Sequence, residues 1–241
     1  FFRSFNTPAF SPRDTAIQGM DNISKIRSGC IGLSTLWLKY DGSLYVNGEN
    51  GYGQLGLSMK ENVAVPTLCT FGLRQSEMKC VDGASSEGWN IIVCDDGSVW
   101  SAGYLCGQET NSFIQMKSLS QHHIIGISAG NGFALFLTQN GMVFGCGDNY
   151  DNQLGLGGDA EDEYSEPVLI PFFKEKGIMI QNVCCGDYHC LALSDKHAVY
   201  GWGDNECGQC GVSNGVNGQN RASVHTPELL HFKSNVDIEQ I

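Results

Sequence analysis

An internal repeat constrains this chain more than any other feature of its sequence. Three segments, which begin at Leu44, Val143 and Val199, share one pattern of Gly, Asn, Gln and apolar residues. A fourth segment, Val99 to Gly107, keeps the apolar start and loses the loop that follows it. One glycine is common to all four copies and recurs at intervals of 44 to 56 residues: Gly48, Gly103, Gly147 and Gly203. Self-similarity at such a period is typical of propellers and other repeat folds, so it is weighed before any local feature.

Each copy also contains the pattern of a β-hairpin. Blocks that end in Gly lie upstream: Ile26 to Gly29, Cys80 to Gly83, Ile127 to Gly130 and Val183 to Gly186. Each block is followed by a short apolar run, and then by a turn sequence in three of the four copies: Asp41-Gly42, Asp96-Gly97 and Asn140-Gly141. These dipeptides favour positive φ in a two-residue hairpin turn. Lys196-His197 takes that place in the last copy and predicts a turn of another type there.

A proline marks a further strand in three of the copies. Pro66, Pro167 and Pro227 each precede apolar residues, and proline suits an outer strand because it removes one ladder donor. Helical patterns are scarce, and Pro171 to Gly177 is long enough only for a short turn. Four short antiparallel strands per copy predict an all-β fold, a β-propeller of four-stranded blades.

The repeat boundaries predict one propeller domain over residues 1–241. Counted from the proline-marked strand, four full repeats cover residues 12–65, 66–112, 113–166 and 167–226, and a partial fifth blade combines residues 227–241 with 1–11. The sequence leaves open two alternatives for the two ends. Either the N-terminal strand completes the fifth blade and closes a small ring, or the chain is a fragment of a longer propeller or is completed by another chain, as in a homo-oligomer.

Composition excludes several classes of partner. Fourteen Lys and Arg residues against 26 Asp and Glu give a net charge of −12, which argues against direct nucleic-acid binding because phosphate contacts need clustered cations. The longest apolar stretches fall far short of the roughly 20 residues of a membrane span. Eleven cysteines form an odd count without framework spacing, which favours reduced thiols and a cytoplasmic location, with a nuclear one as the alternative.

Several motifs resemble catalytic, cofactor or metal sites, and each has a simpler interpretation. Gly51 to Gly56 fits the dinucleotide fingerprint, which physically requires a following helix that the sequence does not predict. Cys207 and Cys210 form a CxxC that could join other Cys and His side chains on zinc, but Cys210 occupies the place of Leu55 and reads as a buried apolar group. The sequence therefore predicts no catalytic residue, no cofactor and no metal.

The variable loops are the predicted binding surface. Equivalent loops of a repeat fold share one face, and recognition residues concentrate in loops on a rigid scaffold. One loop carries an acidic run suited to a basic protein partner, and another is long and rich in Asn. The candidate partner-binding residues are Asp159, Glu161, Asp162, Glu163, Asn214, Asn217, Asn220 and Arg221.

The segments Trp202 to Gly211 and Cys185 to His189 resemble the consensus of the regulator of chromosome condensation repeat family. The resemblance covers roughly residues 12–241 and implies a β-propeller that acts as a non-enzymatic protein-interaction scaffold. It also implies an alternative, a guanine-nucleotide exchange factor or regulator of a small GTPase. His189 stands where the family carries a histidine that looks structural, and Gly32, Ser86 and Phe133 are predicted to stand there in the other copies.

Overall fold

A computed structural model describes residues 20–28, 33–70, 78–105, 107–212, 222–232 and 238–241. These residues form four antiparallel sheets, each of four strands in simple sequential order. The first sheet contains β1 (Ile23–Ser28), β2 (Ser34–Lys39), β3 (Leu44–Gly48) and β4 (Val63–Leu68). The second contains β5 (Cys80–Ser86), β6 (Trp89–Cys94), β7 (Val99–Leu105) and β8 (Gln108–Gln115). The third contains β9 (Ile124–Ala129), β10 (Phe133–Thr138), β11 (Val143–Asp148) and β12 (Glu163–Leu169). The fourth contains β13 (Ile180–Cys185), β14 (His189–Ser194), β15 (Val199–Asp204) and β16 (Ser223–Leu229).

The all-β prediction of four-stranded antiparallel blades is confirmed, while the blades are offset from the counted repeats. Each boundary at 65/66, 112/113, 166/167 and 226/227 falls inside the fourth strand of a sheet. The fourth strand pairs with the third strand of the same sheet, so it belongs to the preceding blade. Proline misled the count because it lies inside this strand: Pro66 is its fourth residue, and Pro167 and Pro227 are its fifth.

Proline occupies a bulge that all four sheets share. In the first sheet Val46 pairs with Thr67 and Gly48 with Val63, so three residues of β4 stand opposite one residue of β3. The other three sheets repeat this irregularity at the same place. Pro66 is the last bulge residue, where no ladder hydrogen bond is lost. In the second sheet Phe113 takes that position and is fully buried.

The glycine that defines the repeat is required by this geometry. Gly147 has φ +99°, and a Cβ there would lie 2.1 Å from the carbonyl oxygen of Gly132 on the neighbouring hairpin. Gly48, Gly103 and Gly203 have the same positive φ and the same close approach to backbone. Only glycine fits a position with both constraints.

The turn between the second and third strands has one form in all four sheets. The amide of Gly42 donates to the carbonyl of Lys39, and Lys39 N–H donates to the carbonyl of Ser43. Positive φ falls on Gly42 alone among these turn residues, so the connection is a three-residue loop with a glycine bulge rather than the predicted two-residue turn. His197 adopts φ +60° at the equivalent position, with matching hydrogen bonds. The predicted change of turn type in the last copy is therefore wrong.

The hydrophobic core lies between neighbouring sheets. One cluster joins the first two sheets, a second joins the second and third, and a third joins the third and fourth. Strands β6 and β10 are buried along their whole length because both of their faces meet a neighbour. The first strands β1, β5, β9 and β13 line a central cavity of about 620 Å³.

The ends of the chain are described only in part. Residues 1–11 of the predicted fifth blade lie outside the described residues, and Pro227 to Leu229 belong to β16 of the fourth sheet. Gln240 and Ile241 line the central cavity, and Nδ1 of His197 lies 3.0 Å from the carbonyl oxygen of Ile238. The predicted short turn is a helix, α1 (Pro171–Lys176), which Gly177 ends in a left-handed conformation. Within the described part of the chain, no helix is long and apolar enough to cross a membrane.

Candidate functional site

The candidate site is one face of the molecule, built from two sets of connections. Strands alternate in direction, so the connections from first to second strand and from third to fourth strand emerge at the same end of every sheet. We call this end the loop face. Its described segments are residues 49–62, 86–88, 107–109, 130–132, 148–163, 186–188 and 204–212.

A buried asparagine shapes each long loop of this face. Oδ1 of Asn149 accepts a hydrogen bond from the amide of Leu154 at 3.0 Å, and its Nδ2 donates to the carbonyl of Glu161 at 2.8 Å. Asn50 and Asn205 make the equivalent pair of bonds in their own loops. Because all three are buried, these side chains replace the ladder bonds that the loop backbone cannot make. The shared Asn of the repeat is therefore a structural residue.

The backbone at the repeated Gln of two of these loops contacts the following sheet. The carbonyl of Gln54 accepts from Nδ2 of Asn90 in the next sheet at 2.8 Å, and the carbonyl of Gln153 accepts from Nε1 of Trp202 at 2.9 Å. Each loop is thus fixed to the following blade. The loop face is a rigid platform on which the exposed side chains are displayed.

The acidic run lies on this platform in exposed positions. Asp159, Glu161, Asp162 and Glu163 are all exposed, and Glu163 begins β12 directly opposite Asp148. The sequence placed these four residues together, and the structure brings them to one loop. Asn214, Asn217, Asn220 and Arg221, the other candidate residues, lie outside the described residues.

Neighbouring loops of the face contact each other. Oγ of Ser58 lies 2.9 Å from Oγ of Ser112, and Lys60 forms an ion pair with Glu109. On the other side, the amide of Gly157 donates to the carbonyl of His225 at 3.0 Å. Between the second and third sheets, Oγ of Ser86 donates to the carbonyl of Gly130 at 2.7 Å, so contacts on this face join all four sheets into a continuous surface.

The charge of the loop face is strongly asymmetric. In its described segments Lys60 is the one Lys or Arg, and Glu109 neutralises it. Carboxylates are spread over all four sheets: Glu49, Glu61, Glu87, Asp148, Asp151, Asp159, Glu161, Asp162, Glu163, Asp187, Asp204 and Glu206. The opposite end of the sheets mixes both signs, with Lys39, Lys79, Lys174 and Lys196 among its residues.

Two of these carboxyl groups have raised pKa values, because they are partly buried and lie near another carboxylate. Partial burial raises the pKa of Asp148 above its usual value, and the carboxylate of Glu163 adds to the shift. Partial burial likewise raises the pKa of Asp151, with a further contribution from Asp204. Burial is the larger cause of both shifts, and repulsion between neighbouring carboxylates is the smaller one.

Four exposed tyrosines on the loop face were missed by the sequence analysis. The rings of Tyr52 and Tyr104 lie 6.1 Å apart, although they come from different sheets. Nδ2 of Asn131 donates to the hydroxyl of Tyr188 at 2.6 Å, and Tyr150 is two-thirds exposed. An aromatic residue inside a Gly-rich turn was the available signal. Tyrosine offers a large contact area at low entropic cost, which suits a binding surface.

The glycines of residues 51–56 form turns rather than a phosphate cradle. Gly53 and Gly56 have positive φ and press against Asn111 and Phe113 of the second sheet. A single β-bridge at Leu57 follows them where the dinucleotide motif would need a helix. The segment therefore packs two blades together.

The cysteines considered as zinc ligands lie in different environments. Cys210 is fully buried in the core, as predicted from its alignment with Leu55, and Cys207 is exposed in a turn. Cys190 is also fully buried, where its Sγ donates to the carbonyl of Gln153 at 3.3 Å. Within the described ranges, no three His, Cys, Asp or Glu side chains are grouped so that they could hold a metal ion.

His189 packs over the loop between the first and second strands of its sheet. A Cβ at Gly186 would lie 2.2 Å from its ring, and burial lowers the pKa of the imidazole. Phe133 packs in the same way over Gly130, as predicted. In the first two sheets the equivalent residues are Ser34 and Trp89, not Gly32 and Ser86.

Two local differences explain this shift. In the second sheet Ser86, not Gly83, pairs at the end of the first strand, so the block Cys80 to Gly83 was aligned three residues too early. In the first sheet the connection is longer, since β2 begins at Ser34. The position still holds four different side chains in four sheets, which is typical of packing rather than catalysis.

Family models match the chain over most of its repeats. Two models described as the regulator of chromosome condensation (RCC1) repeat match residues 41–86 and 140–193, and residues 124–153 and 180–209. The mouse E3 ubiquitin-protein ligase HERC2 is 30% identical over 180 residues, which is 70% of this chain and 4% of that protein. The guanine nucleotide exchange factor SRM1 of Saccharomyces cerevisiae is 29% identical over 176 residues, which is 68% of this chain and 35% of that protein.

The solved structure of Prp20p from Saccharomyces cerevisiae matches at a TM-score of 0.71 with 25% identity. The match covers 90% of this chain and 52% of that one, so this chain spans about half of that structure and smaller shares of the two curated relatives. The repeated glycines, the Asn-braced loops and the four-stranded sheets agree with these matches. The chain belongs to the regulator of chromosome condensation repeat family.

Proposed function

We propose that this chain is a non-enzymatic protein-binding module that takes a basic partner on its loop face. The observation that carries the proposal is the continuous acidic surface of four blades, in which Lys60 is the one Lys or Arg of the described loop segments. Like-signed charge over a wide surface accelerates encounter with an oppositely charged partner. HERC2 is an E3 ubiquitin-protein ligase, whereas among the described residues of this chain we assign no side chain to catalysis.

The exposed tyrosines add aromatic rings on which an arginine side chain can stack. Tyr52 and Tyr104 lie at the same end of the sheets as these carboxylates, so an arginine-rich segment could pair with the carboxylates and also stack on a ring. Arg is favoured over Lys for this reason. The proposed partner is a protein that presents an arginine-rich segment.

A charge-reversal experiment tests the surface directly. The probe is a fluorescein-labelled peptide of alternating Arg and Gly, titrated with the 241-residue chain and followed by fluorescence anisotropy. Glu161→Lys with Asp162→Lys should weaken binding about tenfold, which corresponds to roughly 1.4 kcal/mol. The matched control reverses two exposed acids at the opposite end of the sheets, Glu175→Lys with Asp195→Lys, and should change the affinity less than twofold.

Two results would count against the proposal. If both double variants weaken binding equally, net charge alone governs the interaction. If a Lys-for-Arg version of the peptide binds as tightly and Tyr52→Ala has no effect, the rings take no part. The first result removes the loop face as a specific site, and the second removes the contribution of the tyrosines and the preference for arginine over lysine.

The exchange-factor alternative is favoured by one observation, the 29% identity to the guanine nucleotide exchange factor SRM1. Its test is release of a fluorescent guanine nucleotide from a purified small GTPase of the Gsp1 type, since the Prp20p study concerns binding to Gsp1p and histones. Acceleration by a catalytic amount of this chain would favour exchange. Binding without acceleration would favour the scaffold.

A further inference from the structure

Two cysteines face each other across the first hairpin of the fourth sheet. Cys185 of β13 pairs with Cys190 of β14, and their Sγ atoms lie 3.8 Å apart. The next pair towards the turn is closed by a hydrogen bond from the amide of Gly186 to the carbonyl of His189 at 2.9 Å. The amide of Cys185 points away from β14, to Oγ of Ser128 at 2.9 Å. Cys185 and Cys190 therefore occupy a non-hydrogen-bonded pair, in which opposite side chains approach most closely.

The two thiols differ in access to solvent. Cys185 is half-buried and lines the central cavity, together with its exposed neighbour Cys184. Cys190 is fully buried, and burial raises the pKa of its thiol well above the usual value. A small oxidant in the cavity would thus reach Cys185 first, while Cys190 stands behind it as a protonated thiol.

We propose that Cys185 and Cys190 form a reversible disulfide when a hydroperoxide reaches the central cavity. The thiolate of Cys185 attacks the hydroxyl oxygen of the peroxide, so an S–O bond forms and the O–O bond breaks, and the leaving alkoxide, or hydroxide for hydrogen peroxide, takes up the proton that Cys185 released. The Cys190 sulfur then bonds to the Cys185 sulfur, the S–O bond breaks, and the Cys190 proton leaves with the hydroxyl as a second water. Two thiols and one hydroperoxide give one disulfide, one water and one alcohol or second water.

The disulfide would act on the junction between the third and fourth blades. Sγ of Cys190 now donates to the carbonyl of Gln153, which also accepts from Nε1 of Trp202. Oxidation removes the thiol proton and so removes one of these two hydrogen bonds. Gln153 belongs to the loop that carries Tyr150 and Asp151, so a redox change in the cavity reaches the loop face through one residue.

Peptide mapping tests the disulfide. The 241-residue chain is treated with hydrogen peroxide, blocked with N-ethylmaleimide and cleaved before Asp residues, which separates Cys185 from Cys190 at Asp187. A dithiothreitol-sensitive cross-linked pair of fragments is expected, and it should be 2 Da lighter than the sum of the two fragments with Cys184 blocked and with Cys185 and Cys190 as free thiols, because two hydrogens are lost. Cys184→Ser should keep the cross-link and Cys185→Ser should abolish it.

Two further readouts keep the proposal falsifiable. Cys190 stands opposite Trp202, so oxidation should quench tryptophan fluorescence reversibly, and Cys190→Ala should remove that response. Alanine is tolerated by this kind of position, since Ala134 occupies it in the third sheet. Cys80 and Cys94 also face each other but are buried in the core, so they should oxidise later. Equal rates for the two pairs, or a cross-link that survives Cys185→Ser, would overturn the proposal.

Discussion

Single glycine residues allow close backbone contacts within a blade, because any side chain would occupy the space between the two segments. Gly147 has φ +99°, and a Cβ added there would lie 2.1 Å from the carbonyl oxygen of Gly132. The amide of the next residue, Asp148, donates to the same carbonyl at 3.0 Å. The turn between β9 and β10 therefore lies against the backbone of β11 at this point. One hydrogen atom in place of a methyl group thus allows this close approach.

Gly147→Ala should lower the free energy of unfolding by about 2–4 kcal/mol, since strained backbone and a steric clash add together. Urea denaturation followed by circular dichroism measures the change. Gly51→Ala is the matched control, because Gly51 has no positive φ and an added Cβ meets nothing within 4 Å. A similar loss in both variants would mean that the clash is relieved elsewhere.

The carboxyl group of Asp148 should make stability depend on pH in an unusual direction. Its folded-state pKa is raised above 3.8, so the folded protein binds the proton more tightly than the unfolded chain does. The contribution of this group to the free energy of unfolding is therefore fully present below pH 3.8, and it is lost as the pH rises through the raised pKa of the folded state. Asp148→Asn should raise Tm at pH 7 by about 1–3 °C, and the gain should vanish near pH 3.

Thermal unfolding by differential scanning calorimetry at several pH values checks this effect. Asp159→Asn, in the same loop but fully exposed, should leave Tm nearly unchanged at every pH. A gain for Asp148→Asn that persists at pH 3 would show that the substitution acts through packing rather than charge.

At the scale of elements, the outer strand is held by its bulge. In three sheets proline ends the bulge, and in the second sheet Phe113 takes that position and packs onto the first sheet at Gly56. A Cβ at Gly56 would lie 2.4 Å from the Phe113 ring. The second sheet thus replaces a rigid backbone by a buried ring, which explains how β8 keeps the pattern without its proline.

Phe113→Ala should lower the free energy of unfolding by about 3–5 kcal/mol, because it empties a fully buried site between two blades. Chemical denaturation measures the loss. Ile114→Ala is the matched control, since Ile114 follows directly in β8 and is 43% exposed. Comparable losses would mean that β8 itself, rather than the contact between blades, is disrupted.

At the scale of the whole molecule, each blade is stabilised by its neighbours. The three core clusters are each shared by two adjacent sheets, so no sheet buries its faces alone. Beside the cavity, Asp82 of β5 joins the first two blades through ion pairs to Lys25 at 3.1 Å and Arg27 at 2.9 Å. The side chain of Asp82 is only 13% exposed, whereas those of Lys25 and Arg27 are 38% and 41% exposed, so these pairs are shielded from solvent on the carboxylate side only.

Asp82→Asn should cost about 1–2 kcal/mol, since it removes the charge while an amide oxygen can still accept from Gly83 N–H. Hydrogen exchange should rise in β1 and β2 more than in the fourth sheet, because coupling in repeat folds runs between neighbours. Lys60→Gln removes an exposed pair between the same two blades and should cost less than about 1 kcal/mol. Uniform exchange increases over all four sheets would contradict neighbour coupling.

The strands and loops within one blade could be predicted from the repeat in the sequence. Local geometry needs Gly147 at a positive φ and Asn149 inside its loop, so both residues recur with the repeat and could be found from spacing alone. Where each blade ends is shown only by the three-dimensional structure. The fourth strand belongs to the sheet in which it pairs with the third strand, and Pro66 lies inside that fourth strand. The tertiary structure also brought Tyr52 to Tyr104 and Cys185 to Cys190, since contacts between blades and across strands leave no trace in a period of about fifty residues.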